Sequence, residues 1–327
     1  MHDLIGAFFG LELPPAAGQG GVGNFPYAES PCCAWVSSGR AAFECLLCSM
    51  PRPARVFAPR FTCDTVLSPL RRLGLPVLRY ELSADWLPLL PEPAGKEDLL
   101  LLTNYFGLTG AAVARAAAAH PGPCMVDAAT ALFSPPLPGV PTFYSLRKFA
   151  GVPDGGIACA PFPIRLPVEE DRSAARARFL LERVELGAAA ALPASESAEA
   201  ELSSNPPRRM SPLTRALVFS IDWQSIAAAR RRNYAALHAR LAPLNHWEHL
   251  PAAPPDAPCC YPFVSAIPGL RDALIDAGMA LPLFWPEVVR DTPASAPSNA
   301  LARRLLPIPL DQRYSPQELL AVMEQCL

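Results

Sequence analysis

Charged side chains are sparse in this chain: 28 Lys and Arg against 30 Asp and Glu make 18% of 327 residues and leave a formal net charge of −2. No long basic block occurs, so neither nucleic acid nor an anionic membrane surface is indicated as a partner, and small molecules are the expected ligands. Long apolar runs are missing as well. The N-terminal stretch 4–13 is short, lacks a basic flank and is broken by Gly6, Gly10 and Pro14 at its end, so it reads as neither a secretory signal nor a membrane span. A cytoplasmic protein is expected. The Cys45-Leu-Leu-Cys48 spacing has no second Cys or His pair nearby, which points to packing in an amphipathic helix rather than to a metal site. The ten cysteines, several in apolar runs such as Cys45, Cys48, Cys124 and Cys159, are expected to be reduced and to pack as small hydrophobes. Gly18-Gln-Gly-Gly-Val-Gly23 follows Pro14 and Pro15 instead of a strand, which argues against a dinucleotide-binding fingerprint.

What is abundant is apolar residue, 51%, enough for a large core, and proline, 40 residues falling mostly between periodic segments. From residue 34 the chain alternates helix and strand: helix 40–48, strand 55–58, helix 63–73, strands 76–80 and 98–104, helix 111–119, then strands 124–127, 143–145 and 156–160. Continuous apolar strands alternating with helices predict an α/β architecture with a mainly parallel sheet covered on both faces. Ligands of such sheets bind beyond the carboxyl ends of the strands, where Asn104, Asp127 and Lys148 fall. Helices are predicted over 169–186 and 211–244, the latter containing a long helix 215–241 with a basic patch at Arg230, Arg231 and Arg232. A Ser, Ala and Glu-rich mobile loop is predicted at 194–205. A compact α+β region follows from Tyr261, ending in a helix over 316–326, and the boundary is placed near residue 225: a large domain 1–225 and a small one 226–327.

Three features carry chemistry. Lys148 sits in an apolar strand among Phe143, Tyr144, Phe149 and Ala150, and a partly desolvated amine is a candidate nucleophile for a carbonyl. Alone, it reads first as a strand-end lysine reaching water. Ser37-Ser38-Gly39-Arg40 opens a helix whose free N–H groups and dipole suit a phosphate. Asp127 ends a buried strand, an odd place for a carboxylate unless a cation or strong donor faces it, though a satisfied structural aspartate has the same signature. Together these are the partners that the aldehyde, the phosphate and the pyridinium nitrogen of pyridoxal 5'-phosphate require.

The order of these motifs resembles the DegT/DnrJ/EryC1/StrS sugar aminotransferases, of the aspartate aminotransferase (type I) fold. Ser38-Gly-Arg-Ala-Ala42 resembles that family's Ser-Gly-Thr-Ala-Ala, Ala58-Pro-Arg-Phe-Thr-Cys63 its Pro-Ser-x-Thr-Phe turn, and Val126-Asp-Ala-Ala129 its Glu-Asp-Ala-Ala. Phe143-Tyr-Ser-Leu-Arg-Lys148 with Asp154-Gly-Gly156 is similar to its Ser-Phe-x-x-x-Lys and Glu-Gly-Gly, Leu306-Pro-Ile-Pro-Leu-Asp-Gln312 to its C-terminal strand, and Leu283-Phe-Trp-Pro286 to a Trp-Pro near the substrate end. The resemblance implies a pyridoxal-phosphate aminotransferase, of the kind used in polysaccharide biosynthesis, that moves an amino group from an amino acid such as glutamate to a keto-sugar nucleotide or related carbonyl compound. It implies a homodimer with active sites at the interface. Lys148 would hold the cofactor and move the proton, Asp127 would keep the ring nitrogen protonated, Ser38, Gly39, Arg40 and Ser145 would bind the phosphate, and Cys63 and Thr130 would lie against the ring.

The pattern departs from the family at several positions. Cys63 stands where a stacking aromatic is expected, leaving the thiol or Phe61 for that role. Thr130 replaces a Gln or His, and Pro207-Arg208-Arg209-Met210 replaces Asn-Tyr-Arg-Met, leaving Asn205, Arg208 or Arg209 to supply the missing contact. These departures motivate an alternative: a protein of the same fold that binds without transaminating, or a lyase using the same cofactor.

Overall fold

Leu99–Thr103 is buried at every position, as a strand covered on both faces must be, and it sits in the middle of the molecule's main sheet. The computed structural model describes residues 32–247 and 249–327; the stretches 4–13 and 18–23 lie outside them. The chain runs β1 (Cys33–Val36), α1 (Gly39–Ser49), β2 (Val56–Pro59), α2 (Asp64–Arg72), β3 (Val77–Leu82), β4 (Pro88–Leu89), β5 (Leu99–Thr103), α3 (Gly110–Ala119), β6 (Cys124–Asp127), β7 (Thr142–Ser145) and β8 (Gly156–Cys159). These eight strands form one sheet in the order β1-β8-β7-β6-β5-β2-β3-β4. Its centre, from β7 through β6, β5 and β2 to β3, is parallel, and the pairings β1 with β8, β8 with β7 and β3 with β4 are antiparallel. The predicted α/β fold with a mainly parallel, mixed sheet is therefore what the chain adopts.

Side-chain alternation along the strands separates two apolar layers. Phe57, Leu100, Leu102 and Val126 join a layer with Trp223 and Ile226, whereas Val56, Ala58, Leu99, Leu101 and Met125 join one with α1 and α2. The chain continues through α4 (Arg178–Leu186), α5 (Ala188–Ser204), α6 (Pro212–Ser220) and α7 (Trp223–Leu241). It ends in β9 (Cys260–Val264), α8 (Leu270–Asp276), α9 (Pro286–Asp291), α10 (Pro297–Arg304), β10 (Leu305–Pro309) and α11 (Pro316–Cys326), with β9 and β10 pairing as an antiparallel ribbon. Tyr234 and Leu237 of α7 share an apolar cluster with Tyr261, Ile308 and Leu319, so α7 packs on this C-terminal region.

Four expectations are corrected. The helix placed at 169–186 begins only at Arg178, because Asp171 and Arg176 are buried as an ion pair and Glu170 bridges Arg209. The loop placed at 194–205 is helical: its Ala and Glu content favours α5, which continues to Ser204. The helix placed at 211–244 is broken at Ile221, where Asp222 caps a new helix by accepting the Ser225 N–H at 3.0 Å. Finally, the cysteines are not all reduced. Cys33 and Cys159, directly opposite each other on β1 and β8, form a disulfide, since cross-strand partners bring their sulfurs within bonding reach.

Candidate active site

The carboxyl ends of β5, β6 and β7 open onto a cavity of about 220 Å³. Ser38, Gly39, Arg40, Cys63, Asp127, Thr130, Ser145 and Lys148, all eight residues singled out in the sequence, line it. Lys148 itself is not within a strand: β7 stops at Ser145, and the lysine lies in the following turn, exposed, while Phe149 and Ala150 turn into the core. The apolar flanks that suggested a desolvated amine thus pack beneath it.

Each neighbour is held by local structure. Ser38, with an extended backbone, caps α1 by accepting the Ala41 N–H at 3.0 Å. Gly39 and Arg40 form the first turn, whose N–H groups have no acceptor within the helix. The start of β8 is pressed onto this cap. A Cβ on Gly156 would stand 2.2 Å from the carbonyl carbon and oxygen of Ser38, so only glycine permits the approach, and the Gly155 N–H donates to the Ser37 carbonyl at 2.7 Å. A Cβ added at Gly39 would meet the Tyr144 carbonyl and Ser145 at 3.2 and 3.3 Å.

Asp127 is 5% exposed and accepts the Ala129 N–H at 2.9 Å. Burial pushes its carboxyl up, opposed by that hydrogen bond and by the charge of Lys148. A buried carboxylate so lightly neutralised suits a cationic nitrogen brought by a ligand. The donor set fits pyridoxal phosphate: a helix N-terminus with Ser38 and Ser145 for the phosphate, an amine for the aldehyde, and a buried acid for the ring nitrogen.

Cys63 faces this cavity, and burial raises its thiol against the pull of Lys148. Phe61 does not take its place: it packs on Tyr105 and Trp285 and lines a different cavity. The Thr130 hydroxyl is engaged with backbone, accepting the Phe106 N–H at 3.1 Å and donating to the Asn104 carbonyl at 3.4 Å. Asn205, Arg208 and Arg209 lie outside the cavity. The Arg208 side chain pairs with Glu169 and Asp171 at 3.2 and 3.5 Å, and the Arg208 carbonyl accepts the Ser37 N–H.

Sequence reasoning missed the contribution of α5. Glu199 and Leu202 line the cavity, and α5 is pinned over it by two guanidinium groups. Arg40 donates to the Leu202 and Ser203 carbonyls at 2.8 and 3.3 Å, and Arg147 donates to Glu199 at 2.5 Å. Burial pushes the Glu199 carboxyl up, but Arg147, Arg40 and Lys148 outweigh it and hold it below the usual range. Helix-forming composition was the available signal for this element; its docking site was not legible.

No family model and no curated protein matches this chain. Solved structures do. DesV from S. venezuelae superposes with a TM-score of 0.63 over 94% of this chain and 88% of that one, at 18% identity. The sugar aminotransferase CalS13 from Micromonospora echinospora gives 0.59 over 98% and 92%, at 16% identity. The GDP-4-keto-6-deoxy-D-mannose-3-dehydratase of E. coli, whose structure holds hydrated pyridoxal phosphate, gives 0.58 over 90% and 87%, at 13% identity. At such identities the likeness is one of fold, and the chain has the type I fold of the pyridoxal-phosphate enzymes.

Proposed function

We propose that the protein is a pyridoxal-phosphate-dependent aminotransferase, accepting an amino group from an amino acid such as glutamate and passing it to a keto-sugar nucleotide or related carbonyl compound. The observation that carries this reading is the convergence of Lys148, Asp127 and the α1 N-terminus on one cavity of the appropriate fold. When bound, pyridoxal phosphate supplies the carbonyl to which amines attach and a ring that withdraws electrons. The chain does the rest. Lys148 Nζ would anchor the group and, as the base of the site, take and return the proton at the substrate's α-carbon. The Asp127 carboxylate would favour a protonated ring nitrogen, and Ser38, Gly39, Arg40 and Ser145 would hold the phosphate. The division into a large cofactor-binding domain over residues 1–225 and a small domain over residues 226–327, a homodimer completing the site, and a cytoplasmic location belong to the same proposal.

Purified protein mixed with pyridoxal phosphate is expected to develop a visible absorption band that Lys148→Ala does not develop, and glutamate is expected to convert that band to the pyridoxamine form. Identical spectra for the two proteins would overturn the reading. A band that no amino donor alters would favour a second one, a binding protein or a lyase or dehydratase of the same fold, which the altered positions Cys63 and Thr130 and the dehydratase among the structural neighbours make specific.

A further inference from the structure

A larger cavity, about 490 Å³, opens beside the hairpin of β3 and β4, within the size range of small-molecule sites. Its lining includes the rings of Phe61, Trp86 and Trp247. Trp86 and Trp247 stack with ring centroids 4.0 Å apart and an interplanar angle of 19°, and Phe61, 1% exposed, closes the inner end, while Leu89, 53% exposed, marks the mouth. Trp86 is held at φ 62, a conformation that bulky residues avoid. The turn that imposes it is tied by the Trp86 N–H to the Ser83 carbonyl at 3.0 Å and by the Leu87 N–H to the Ser83 hydroxyl at 3.1 Å. A strained, stacked tryptophan at a cavity wall is a built feature.

The polar side chains of this cavity among the described residues are Glu81, Ser83, His246, Ser298 and Arg304, and Glu81, Ser83 and Ser298 are already engaged. Glu81 accepts the Ser298 N–H and hydroxyl at 3.1 and 3.0 Å and lies 3.6 Å from Arg60. Arg304 donates through Nε to the Ser265 carbonyl at 3.2 Å and leaves the rest of its exposed guanidinium at the rim. A hydroxyl-rich sugar would find too few partners here, and a diphosphate would face the Glu81 carboxylate with Arg304 as the one permanently charged cation of the lining among the described residues. A flat apolar ring would find a tryptophan wall to pack against.

We infer that this cavity is a binding site for a planar aromatic ring carrying a carboxylate, with the ring against Trp86 and Trp247 and the carboxylate toward Arg304. The site goes beyond the aminotransferase reading and does not rest on it, although an aromatic wall joins the two cavities: Phe61 packs edge-on against Trp285, centroids 4.9 Å apart, and Trp285 lines the lysine cavity.

The test is calorimetric titration of the protein, loaded with pyridoxal phosphate, with 3-phenylpropionate and indole-3-acetate, neither of which has an amine, ketone or aldehyde to react at the lysine cavity. Saturable binding is expected, weakened about tenfold or more by Trp86→Ala and by Ala300→Trp, which fills the exposed mouth without removing buried packing. Lys148→Ala is expected to bind both acids as the wild type does. Absence of saturable binding, wild-type affinity in both cavity variants, or loss of binding in Lys148→Ala would overturn the proposal. So would uridine diphosphate binding that depends on Trp86 and Ala300 when the aromatic acids show no such dependence. A missing cofactor band in the wild type, with aromatic binding intact, would sink the aminotransferase reading alone.

Discussion

Lys148 is one of only two lysines in the chain, the other being Lys96. That scarcity makes its role easy to check: borohydride treatment of protein loaded with pyridoxal phosphate is expected to fix the cofactor to the peptide containing Lys148 and not to the one containing Lys96, read by mass spectrometry. Asp127→Asn removes the buried charge and keeps the shape, so the cofactor band is expected to persist while conversion by glutamate slows by about a hundredfold or more in single-turnover measurements. Conversion at the wild-type rate would show that the carboxylate does not act on the ring. Gly156→Ala must displace Ser38, because the new methyl would overlap its carbonyl group, and loss of cofactor affinity or of soluble protein is the expected outcome. The eight residues that meet in the lysine cavity could be singled out because each is announced locally, by a strand end, a helix start or a short motif. Gly156 appeared in a motif as well, but its closeness to Ser38, more than a hundred residues away, is written only in the sheet pairing of β1 with β8.

At the scale of elements, α5 decides how open the lysine cavity is. Its Glu199 brings a carboxylate to the cavity expected to take a phosphate, and Arg147 is occupied in pairing with it. Glu199→Gln is therefore expected to tighten pyridoxal phosphate binding by about two- to fivefold, with the gain shrinking as salt rises; fluorescence or absorbance titration at two ionic strengths measures it. A second device links three elements. Asp154, before β8, is buried with Asp171 and Arg176, and its carboxylate accepts hydrogen bonds from Ser211 and Thr214 at the start of α6. Burial, reinforced by the Asp171 charge, pushes its carboxyl up to about 7. Because this value lies above that of an unfolded aspartate, the native state holds the extra proton. The stabilising contribution is complete at acid pH, below the unfolded value, and is lost as pH rises through about 7. The melting temperature of the wild type relative to Asp154→Asn is expected to fall between pH 4.5 and pH 7.5, and a constant difference would show an ionised carboxyl throughout. Neither α5 nor this cluster was legible in sequence. Ser, Ala and Glu-rich composition is ambiguous between loop and helix until Arg40 and Arg147 anchor it, and a buried ion pair has no periodicity to reveal it.

At the scale of the whole molecule, hydrophobic periodicity and proline spacing foretold the parallel centre of the sheet correctly, since both follow from burial on two faces. They could not foretell the antiparallel end, where β1 and β8 meet and Cys33 bonds Cys159. Thiol titration of protein denatured without reductant is expected to find eight reactive thiols, and ten after reduction. The bond has a topological consequence. It spans a sequence separation of 126 residues, a stretch that includes β2, β3, β5, β6 and β7 as well as both Asp127 and Lys148. A protease that cuts once anywhere inside this ring opens the backbone without dividing the molecule: the two pieces, one ending and one beginning at the nick, stay a single covalent body that migrates as fragments only after a reductant is added.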